Sequence, residues 1–345
     1  MEKKVGFGII GCGTISRHHT NAVMENAEAK LIAVCDQNEE AAKELAVEYG
    51  VKYYTDYRKM LEDKEIDAVS ICTPSFLHPE QAIAAAQAGK HVLTEKPMAI
   101  NLEDADKMIK ACKKANVKLG VIFQRRTQSA FKRIKKAVET NELGKIVLGD
   151  ACMKYYRSQE YYNSAGWRGT WKFDGGGALM NQGIHFIDLL QWIMGPVDTV
   201  FAQAGALVRK IEVEDTSVTV VKFKNGAFGT ITGTTSVFPP IQRLEIHGEK
   251  GSIIVNDEDI TKWDMLGPDD KAVSQLESMK SDTQNPGIDP KNVGKEGHSM
   301  QVADFIDSIK TGREPMTNGE EGRKSLELIL AIYKSAKTGL PVKLS

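Results

Sequence analysis

The segment VGFGIIGCGTIS, residues 5–16, decides the fold of this 345-residue chain. Six apolar or small residues lead straight into Gly11 and Gly13, and a helical stretch follows. Glycine turns are common, but a turn between a buried strand and a helix leaves free N–H groups at the helix start, where they can bind a pyrophosphate. We therefore interpret the segment as the start of a dinucleotide-binding domain.

An acidic residue follows at the distance that such a site requires. Ser16 stands at the third position of the dinucleotide-binding fingerprint, after Gly11 and Gly13, where a small residue is expected. Twenty residues later, the second apolar run, LIAVCD, ends in Asp36. A carboxylate at this position binds the ribose hydroxyls of the adenosine and repels a 2′-phosphate. The spacing predicts NAD rather than NADP, bound by Gly11, Gly13, Thr14, Ile15 and Asp36.

Short apolar runs alternate with helical stretches through the first 123 residues. Asn101 and Pro79 stand where helices begin, as an N-cap residue and a first-turn proline. This alternation predicts an α/β domain over residues 1–123, a doubly wound parallel sheet of the Rossmann type that binds NAD. The runs are apolar on both faces, as in buried parallel strands: VGFGII, AKLIAVCD, DAVSICT, KHVLTE and VKLGVIF.

After residue 123 the pattern changes to long alternating strands, one strongly apolar helix and two closing helices. It predicts an α+β domain over residues 124–345, with an open, mainly antiparallel sheet that binds substrate. Strands such as TSVTVVKFK would leave a broad apolar face, which monomers seldom expose, so we expect a homodimer or homotetramer built through it. Residues 265–297, rich in Pro, Gly, Asp and Lys, are expected to form a loop.

The composition excludes several classes of function. Forty-five Lys+Arg against 46 Asp+Glu leave a net charge of −1, so there is no basic surplus for nucleic acid or an anionic membrane. No stretch approaches the roughly 18 apolar residues of a membrane span. The five cysteines are scattered, without the spacing of a metal site or a disulfide framework. We therefore expect a cytoplasmic protein with reduced thiols and no metal.

The tripeptide Glu95-Lys96-Pro97 follows the strand KHVLTE. Proline restricts the backbone of the residue before it, so Lys96 is held at the tip of a strand. Taken alone, Lys96 could be an ordinary strand-end lysine paired with Glu95. The neighbouring strand end is CTPSFLHPE, however, and both ends flank the expected nicotinamide. We expect the cofactor to be bound here by Thr73, Pro74, His78, Glu95 and Lys96.

The segment FDGGGALMNQGIHFIDLLQW, residues 173–192, predicts a buried helix that carries polar side chains. Asn181, His185 and Asp188 are spaced i, i+4 and i+7, so a regular helix puts them on one face. Buried polar groups need partners, and a cavity holding a polyhydroxylated substrate would supply them. The alternative is a structural histidine hydrogen-bonded to Asp188.

The glycine turn, the EKP tripeptide and the GGG…G-x-H-x-x-D helix together resemble the glucose–fructose oxidoreductase/inositol dehydrogenase/MocA family over essentially the whole chain. The resemblance implies an NAD(P)-dependent dehydrogenase acting on CH–OH groups of sugars or cyclitols. It also implies that Lys96 and His185 are catalytic. In the alcohol-oxidising direction an imidazole can take the proton and an ammonium can stabilise the alkoxide. Many members carry Asp where this chain has Asn181.

Residues 155–171 hold six aromatic side chains, where about one would be expected from the 7% aromatic content, with Arg157 and Arg168 among them. Aromatic faces suit sugar rings, and arginines suit carboxylate or phosphate. The alternative is a packed strand and loop. We expect Tyr155, Arg157, Asn181, His185 and Lys96 to bind substrate, and Trp167 and Arg168 to contact the cofactor.

This segment, with MNQ and IEVEDT, resembles the family branch that oxidises UDP-N-acetylglucosaminuronic acid at its third carbon. The branch differs from this chain at Gly183 and Ile184. A myo-inositol or simple sugar dehydrogenase is the alternative. Two further hypotheses are an NAD-dependent glycoside hydrolase, which begins with the same oxidation but releases a free sugar, and an idle NAD sensor, against which the intact Lys96 and His185 argue.

Overall fold

A six-stranded parallel sheet of order β3-β2-β1-β4-β5-β6 forms the first part of the protein. The computed structural model describes residues 3–276 and 293–344, except for the side chains of residues 293–296. The strand order is that of the doubly wound dinucleotide-binding fold, which confirms the predicted fold class. The strands are β1 Val5–Ile10, β2 Ala29–Cys35, β3 Lys52–Tyr54, β4 Ala68–Ile71, β5 His91–Thr94 and β6 Leu119–Val121; the helices are α1 Ser16–Glu25, α2 Glu39–Tyr49, α3 Tyr57–Leu61, α4 His78–Gln87 and α5 Leu102–Ala115.

Burial explains why the sequence pattern found most of these strands. All six residues of β1 are buried, so both of its faces are apolar. The edge strand β3 is the exception, because its three residues are exposed or half-buried. A strand of that kind leaves no apolar run, and the sequence did not predict it.

A nine-stranded sheet of order β14-β13-β12-β11-β7-β10-β9-β8-β15 forms the second part. Among the described strands of this sheet, only β7 and β10 pair in parallel, so the predicted open, mainly antiparallel sheet is confirmed. The strands are β7 Ile146–Tyr156, β8 Val197–Gly205, β9 Thr216–Phe223, β10 Phe228–Thr234, β11 Ser236–Gly248, β12 Gly251–Asn256, β13 Asp259–Leu266, β14 Ala272–Ser274 and β15 Val342–Lys343; the helices are α6 Ser129–Glu139, α7 Gln159–Asn163 and α8 Ile184–Met194.

The expected loop over 265–297 is partly wrong. Strand β14, Ala272–Ser274, pairs with β13 inside it, and helix α9, Val293–Thr311, begins before its end. Residues 277–292 of the expected loop lie outside the described residues. The proline, glycine and charge content of the segment hid a short exposed strand.

The chain forms two interleaved compact units. One contains Met1–Gln124 and Lys291–Leu326; the other contains Arg125–Pro290 and Glu327–Ser345. The last helix, α10 Gly319–Thr338, therefore begins in the first unit and ends in the second. The contiguous division at residue 123 remains a sequence-based prediction.

Helix α9 completes the core of the first unit. Phe305 and Ile306 are buried in the same apolar cluster as Phe7 and Ile9 of the central strand β1. The Gln301 side chain accepts a hydrogen bond from the Phe123 N–H at 2.8 Å and donates to the Val121 carbonyl at 2.7 Å. The nucleotide-binding sheet thus depends on residues almost 300 positions from its first strand.

One face of the large sheet carries exposed apolar side chains on three neighbouring strands. Phe201 of β8, Val218 and Val220 of β9, and Phe228 of β10 are 41–57% exposed. In the described part of the chain, no helix combines the length and the hydropathy needed to cross a bilayer.

The helix that carries Asn181 and His185 begins against the loop before β9. It opens as a π-helical segment, Leu179–Gly183, and continues as α8. A Cβ on Gly177 would lie 1.8 Å from the Glu214 carbonyl oxygen, so a larger residue cannot fit there. The Ala178 N–H donates to the same carbonyl at 3.1 Å.

The Glu214 side chain fixes the same helix start. Its carboxylate accepts hydrogen bonds from the N–H groups of Gly177 and Leu179 and from the Tyr333 hydroxyl, each at 2.9 Å. Glu214 is 3% exposed. Burial raises the pKa of its carboxyl to about 7, against the hydrogen bonds, which lower it.

The second unit should therefore lose stability as the pH rises toward 8. The Glu214 carboxyl has an ordinary pKa of 4.5, which applies to the unfolded chain, and a pKa of about 7 in the folded protein. Its stabilising contribution is complete below pH 4.5 and is lost as the pH rises through 7. At 1.36 kcal/mol per pKa unit, we expect Glu214→Gln to remove roughly 2–3 kcal/mol of the pH dependence between pH 5 and 8, as measured by urea unfolding.

Glu212→Gln is the matched control, because Glu212 is two residues away and exposed. That variant should keep the pH dependence of the native protein. The same pH dependence in Glu214→Gln would mean that the Glu214 carboxyl does not titrate in this range.

Candidate active site

The glycine turn after β1 has the geometry of a pyrophosphate-binding loop. Gly11 has φ +95°, and a Cβ there would lie 2.8 Å from the backbone of Cys72, so the turn requires glycine. A Cβ on Gly13 would meet open space within 4 Å, which is where a phosphate can approach the backbone. At the start of α1, Ile15 makes no side-chain cap to another described residue, so the free N–H groups remain available to an anion.

Asp36 lies beside this turn at the end of β2. One carboxylate oxygen accepts the Cys12 N–H at 2.8 Å, and the other accepts the Asn38 N–H at 2.8 Å. Each oxygen keeps a second lone pair that can accept a ribose hydroxyl. The predicted residues Gly11, Gly13, Thr14, Ile15 and Asp36 therefore lie together, and their arrangement fits NAD.

The loops after β4 and β5 are joined by His78. Its ring is 1% exposed, with Nδ1 2.9 Å from the Pro97 carbonyl oxygen and Nε2 2.7 Å from the Thr73 carbonyl oxygen. Burial lowers the pKa of His78, against the two carbonyls, which favour the protonated ring. His78 therefore connects the loops that follow β4 and β5, while Thr73, Pro74 and Lys96 remain half-buried.

Glu95 is also buried, at 7% exposure, beneath the strand end. Its carboxylate lies against two histidines, His19 of α1 and His298 of α9. We call His19, Glu95 and His298 the histidine–glutamate cluster. One ligand-type atom from each residue lies within 4.8 Å of the others, although the sequence predicted no metal site. The Lys96–Pro97 peptide that follows is cis.

In the second unit, Asn181 and His185 are the half-buried positions of the helix between residues 178 and 190, where all other residues are buried. Asn181 lies in the π-helical segment, so its offset from His185 differs from that of a regular helix. Irregular turns of this kind often occur at functional sites. The two polar side chains thus reach the accessible side of an otherwise buried helix.

Asp188 is directed into the core, which corrects the expectation that it shares a face with Asn181 and His185. It is 1% exposed, and its carboxylate accepts two hydrogen bonds from Arg126, at 2.8 Å from Nε and 2.7 Å from Nη2. Arg126 is itself 3% exposed. The pair anchors α8 from behind.

In the aromatic segment, Arg157 and Arg168 both contact Tyr161. The two guanidinium groups lie 5.3 and 4.4 Å from the Tyr161 ring centroid, and Arg168 also lies 4.5 Å from that of Trp167. Arg168 donates to the Tyr161 hydroxyl at 2.6 Å. Tyr155 donates instead to Gln242 at 2.8 Å.

These arginines lack acidic partners among the described residues. The Nε atoms of Arg157, Arg168 and nearby Arg209 are buried, and their N–H groups donate to no described residue. No described carboxylate lies within ion-pair distance of the three guanidinium groups. Arg209 lies 5.1 Å from the ring centroid of Tyr156. Other half-buried arginines, such as Arg133, are paired with carboxylates. Arg157 and Arg168 of this segment have no carboxylate at ion-pair distance among the described residues, and the charge of Arg209 reaches only the exposed Glu160, whose pKa it helps to lower. This surplus of positive charge favours an anionic ligand.

Sequence reasoning missed several residues that position these groups. No local motif announces Arg126 or His298, because each meets its partner across a long stretch of sequence. For Glu214 and Tyr333 the sequence holds only a partial signal. The three glycines before the helix are a place where another part of the chain can pack closely, but they do not identify Glu214 and Tyr333 as the residues that do so.

The chain matches two family models. A model described as oxidoreductase family, NAD-binding Rossmann fold, matches residues 5–123, and one described as oxidoreductase family, C-terminal alpha/beta domain, matches residues 135–344. Both are models of the glucose–fructose oxidoreductase/inositol dehydrogenase/MocA family.

Named relatives span the whole chain. A myo-inositol 2-dehydrogenase of Thermotoga maritima is 32% identical, with 98% of each chain covered. A scyllo-inositol 2-dehydrogenase (NAD(+)) of Bacillus subtilis is 26% identical, covering 100% of this chain and 97% of that protein. Among solved structures, the WlbA dehydrogenase of Bordetella pertussis in complex with NADH and UDP-GlcNAcA is 38% identical, with a TM-score of 0.91 over 100% of this chain and 99% of that one. The protein therefore belongs to the glucose–fructose oxidoreductase/inositol dehydrogenase/MocA family of NAD-binding oxidoreductases, which act as sugar dehydrogenases.

Proposed function

We propose that this protein oxidises a secondary alcohol of an anionic nucleotide sugar such as UDP-N-acetylglucosaminuronic acid. The observation that carries the proposal is the set of arginines without carboxylate partners, Arg157, Arg168 and Arg209. A uronic acid carboxylate and a diphosphate are the groups that arginine forks bind best. The similarity to the WlbA dehydrogenase crystallised with NADH and UDP-GlcNAcA supports the same substrate class.

The proposed chemistry assigns separate tasks to Lys96 and His185. Bound NAD supplies the acceptor for the hydride that leaves the alcohol carbon. The Lys96 ammonium stabilises the negative charge that develops on the alcohol oxygen, and it does so more strongly where water is excluded. The His185 imidazole takes the proton, because imidazole is the side chain that ordinarily titrates near neutral pH. When a ketone is reduced, His185 returns the proton to the oxygen and the Lys96 ammonium again stabilises the negative charge that develops there.

The asparagine at position 181 limits which side chains can carry out the proton transfer. Its amide can donate and accept hydrogen bonds but cannot carry a charge or take a proton. A substrate hydroxyl can therefore be oriented by Asn181, while proton transfer is left to Lys96 and His185. We assign Tyr155 and Arg157 to substrate binding alongside these three residues.

A neutral cyclitol is the second candidate substrate. It is favoured by the relatives named as myo-inositol and scyllo-inositol 2-dehydrogenases, which match nearly the whole chain. A cyclitol has no carboxylate or phosphate, so it would leave Arg157, Arg168 and Arg209 without an anionic partner. The charge of the substrate therefore distinguishes the two candidates.

Replacing either proposed catalytic residue should abolish most of the turnover. We expect Lys96→Ala and His185→Ala each to lower kcat at least ~100-fold, the lower end of what general acid–base groups contribute. NAD binding to His185→Ala, measured by calorimetry, should change little. Lys43→Ala and His247→Ala are the controls and should keep normal turnover. A near-normal kcat in either active-site variant would remove that residue from the mechanism.

Arg157→Ala should weaken an anionic substrate selectively. Loss of a charge-assisted contact costs roughly 1.5–3 kcal/mol, so we expect KM for UDP-N-acetylglucosaminuronic acid to rise about ten- to a hundredfold, with a smaller effect on NAD. Arg168→Ala should raise KM for both substrate and NAD, if Arg168 and Trp167 contact the cofactor as the sequence predicts. Steady-state kinetics with the nucleotide sugar and with myo-inositol measure both effects.

Arg133→Ala is the control for these kinetics, because Glu142 already neutralises that arginine. It should leave both KM values unchanged. Turnover of myo-inositol alone, unaffected by Arg157→Ala, would overturn the anionic substrate and favour the cyclitol.

We also propose that the exposed apolar face of β8, β9 and β10 is covered by a second copy of this chain. Light scattering should give a mass two or four times 38.0 kDa. The double variant Val220→Glu, Phe228→Glu should give smaller particles, because it places charge on that face. Leu266→Glu changes an exposed apolar residue on β13 and should keep the native mass. A native monomer at micromolar concentration contradicts the proposal.

A further inference from the structure

The histidine–glutamate cluster meets the EKP tripeptide through the Lys96 backbone. The Lys96 N–H donates to Glu95 Oε2 at 3.1 Å, and the other carboxylate oxygen, Oε1, faces the two histidines. We propose that His298 and His19 are positioning residues, which hold Lys96 in its working position through the Glu95 carboxylate. This inference rests on the catalytic role proposed above for Lys96.

Both histidines of the cluster contact the Glu95 carboxylate. His19 Nε2 lies 2.9 Å from Glu95 Oε1, and His298 Nε2 lies 3.4 Å from the same oxygen. A carboxylate accepts but does not donate, so the Nε2 atom of each imidazole carries a proton. His19 Nδ1 lies 2.5 Å from Ser70 Oγ. This second buried contact holds the His19 ring in the orientation in which it donates to Glu95.

Among the described residues, Glu95 is the side chain to which the buried His298 ring is hydrogen-bonded. The ring is 4% exposed, and its Nδ1 atom is buried without a hydrogen-bond partner among the described residues. It packs against His18 and His19 at centroid distances of 5.3 and 5.4 Å. An apolar side chain would fill the same space without leaving a polar atom unsatisfied. The polar contact with Glu95 therefore explains why a histidine stands at this position.

The carboxylate keeps its charge in this environment. Burial raises the pKa of Glu95, but the hydrogen bonds from His19 and His298 outweigh burial and hold the pKa well below its ordinary value. An ionised Glu95 remains an acceptor for the Lys96 N–H. Removing a histidine removes a hydrogen bond that favours the ionised Glu95 carboxylate. The hydrogen bond that the Lys96 N–H donates to this carboxylate is then weaker.

His298→Ala tests the inference, with His298→Gln as the conservative variant that keeps an N–H donor. Phe305→Leu is the control, because it perturbs the buried face of the same helix α9. The first readout is the rate at which Lys96 of the ligand-free protein is acylated at pH 8, measured by peptide mass spectrometry relative to exposed Lys43. The second readout is steady-state kinetics with NAD and the sugar substrate.

In His298→Ala we expect Lys96 to be acylated at least about threefold faster, the change that half a pKa unit produces. We expect kcat to fall about ten- to a hundredfold, as displacement of a reacting group does, with KM for NAD unchanged. His298→Gln should recover most of both effects. Phe305→Leu should lower the melting temperature and leave both readouts at their native values.

Native acylation of Lys96 in His298→Ala would overturn the inference. So would a stoichiometric transition metal, found by elemental analysis in the native protein and lost in His298→Ala, because the cluster would then be a metal site. If Lys96 is acylated faster in His298→Ala but the native protein oxidises no sugar, the positioning role is supported and only the proposed function is contradicted.

Discussion

The carboxylate of Glu214 holds the start of the helix on which the second unit's functional side chains depend. It accepts two backbone N–H groups and a tyrosine hydroxyl, while its own carbonyl accepts a third N–H. The glycine at 177 exists because the backbone must approach within contact distance of that loop. A helix start clamped in this way tolerates a π-helical turn, and the turn leads to Asn181 and His185 on the accessible side.

Buried acids perform the same task elsewhere in the molecule. Glu95 anchors the backbone beside Lys96, and Asp188 anchors the far side of α8 through Arg126. A buried carboxylate is costly unless it is fully hydrogen-bonded, so each of these groups fixes several neighbours at once. The accessible arginines differ, because Arg157 and Arg168 stack on an aromatic ring and meet no described acid. Among the described residues, the buried acids thus have hydrogen-bond donors from the protein itself, whereas Arg157 and Arg168 have no carboxylate at ion-pair distance, which is the observation behind the proposed anionic substrate.

The sequence predicted the elements whose information is local. Period and composition located the parallel strands, and the spacing from Gly11 to Asp36 located the dinucleotide loop, because both follow from residues close together in the chain. The edge strand β3 and strand β14 escaped, since exposed residues leave no apolar period. Asp188 was expected on the face of Asn181 and His185, but it pairs with Arg126, which lies 62 residues earlier in the chain. The partners of Glu95, Asp188 and Glu214 could not be predicted, because each comes from a distant segment and no short motif encodes the meeting.

The placement of α9 in the core of the first unit has a consequence for biosynthesis. Phe305 and Ile306 share a cluster with strand β1, yet the ribosome makes them nearly 300 residues later. At roughly 5–20 residues per second, the nascent nucleotide-binding sheet waits some tens of seconds for the helix that completes its core. During that interval its apolar surface depends on incomplete packing or on chaperones. The first unit of this chain therefore cannot complete its core before the second half of the chain emerges from the ribosome.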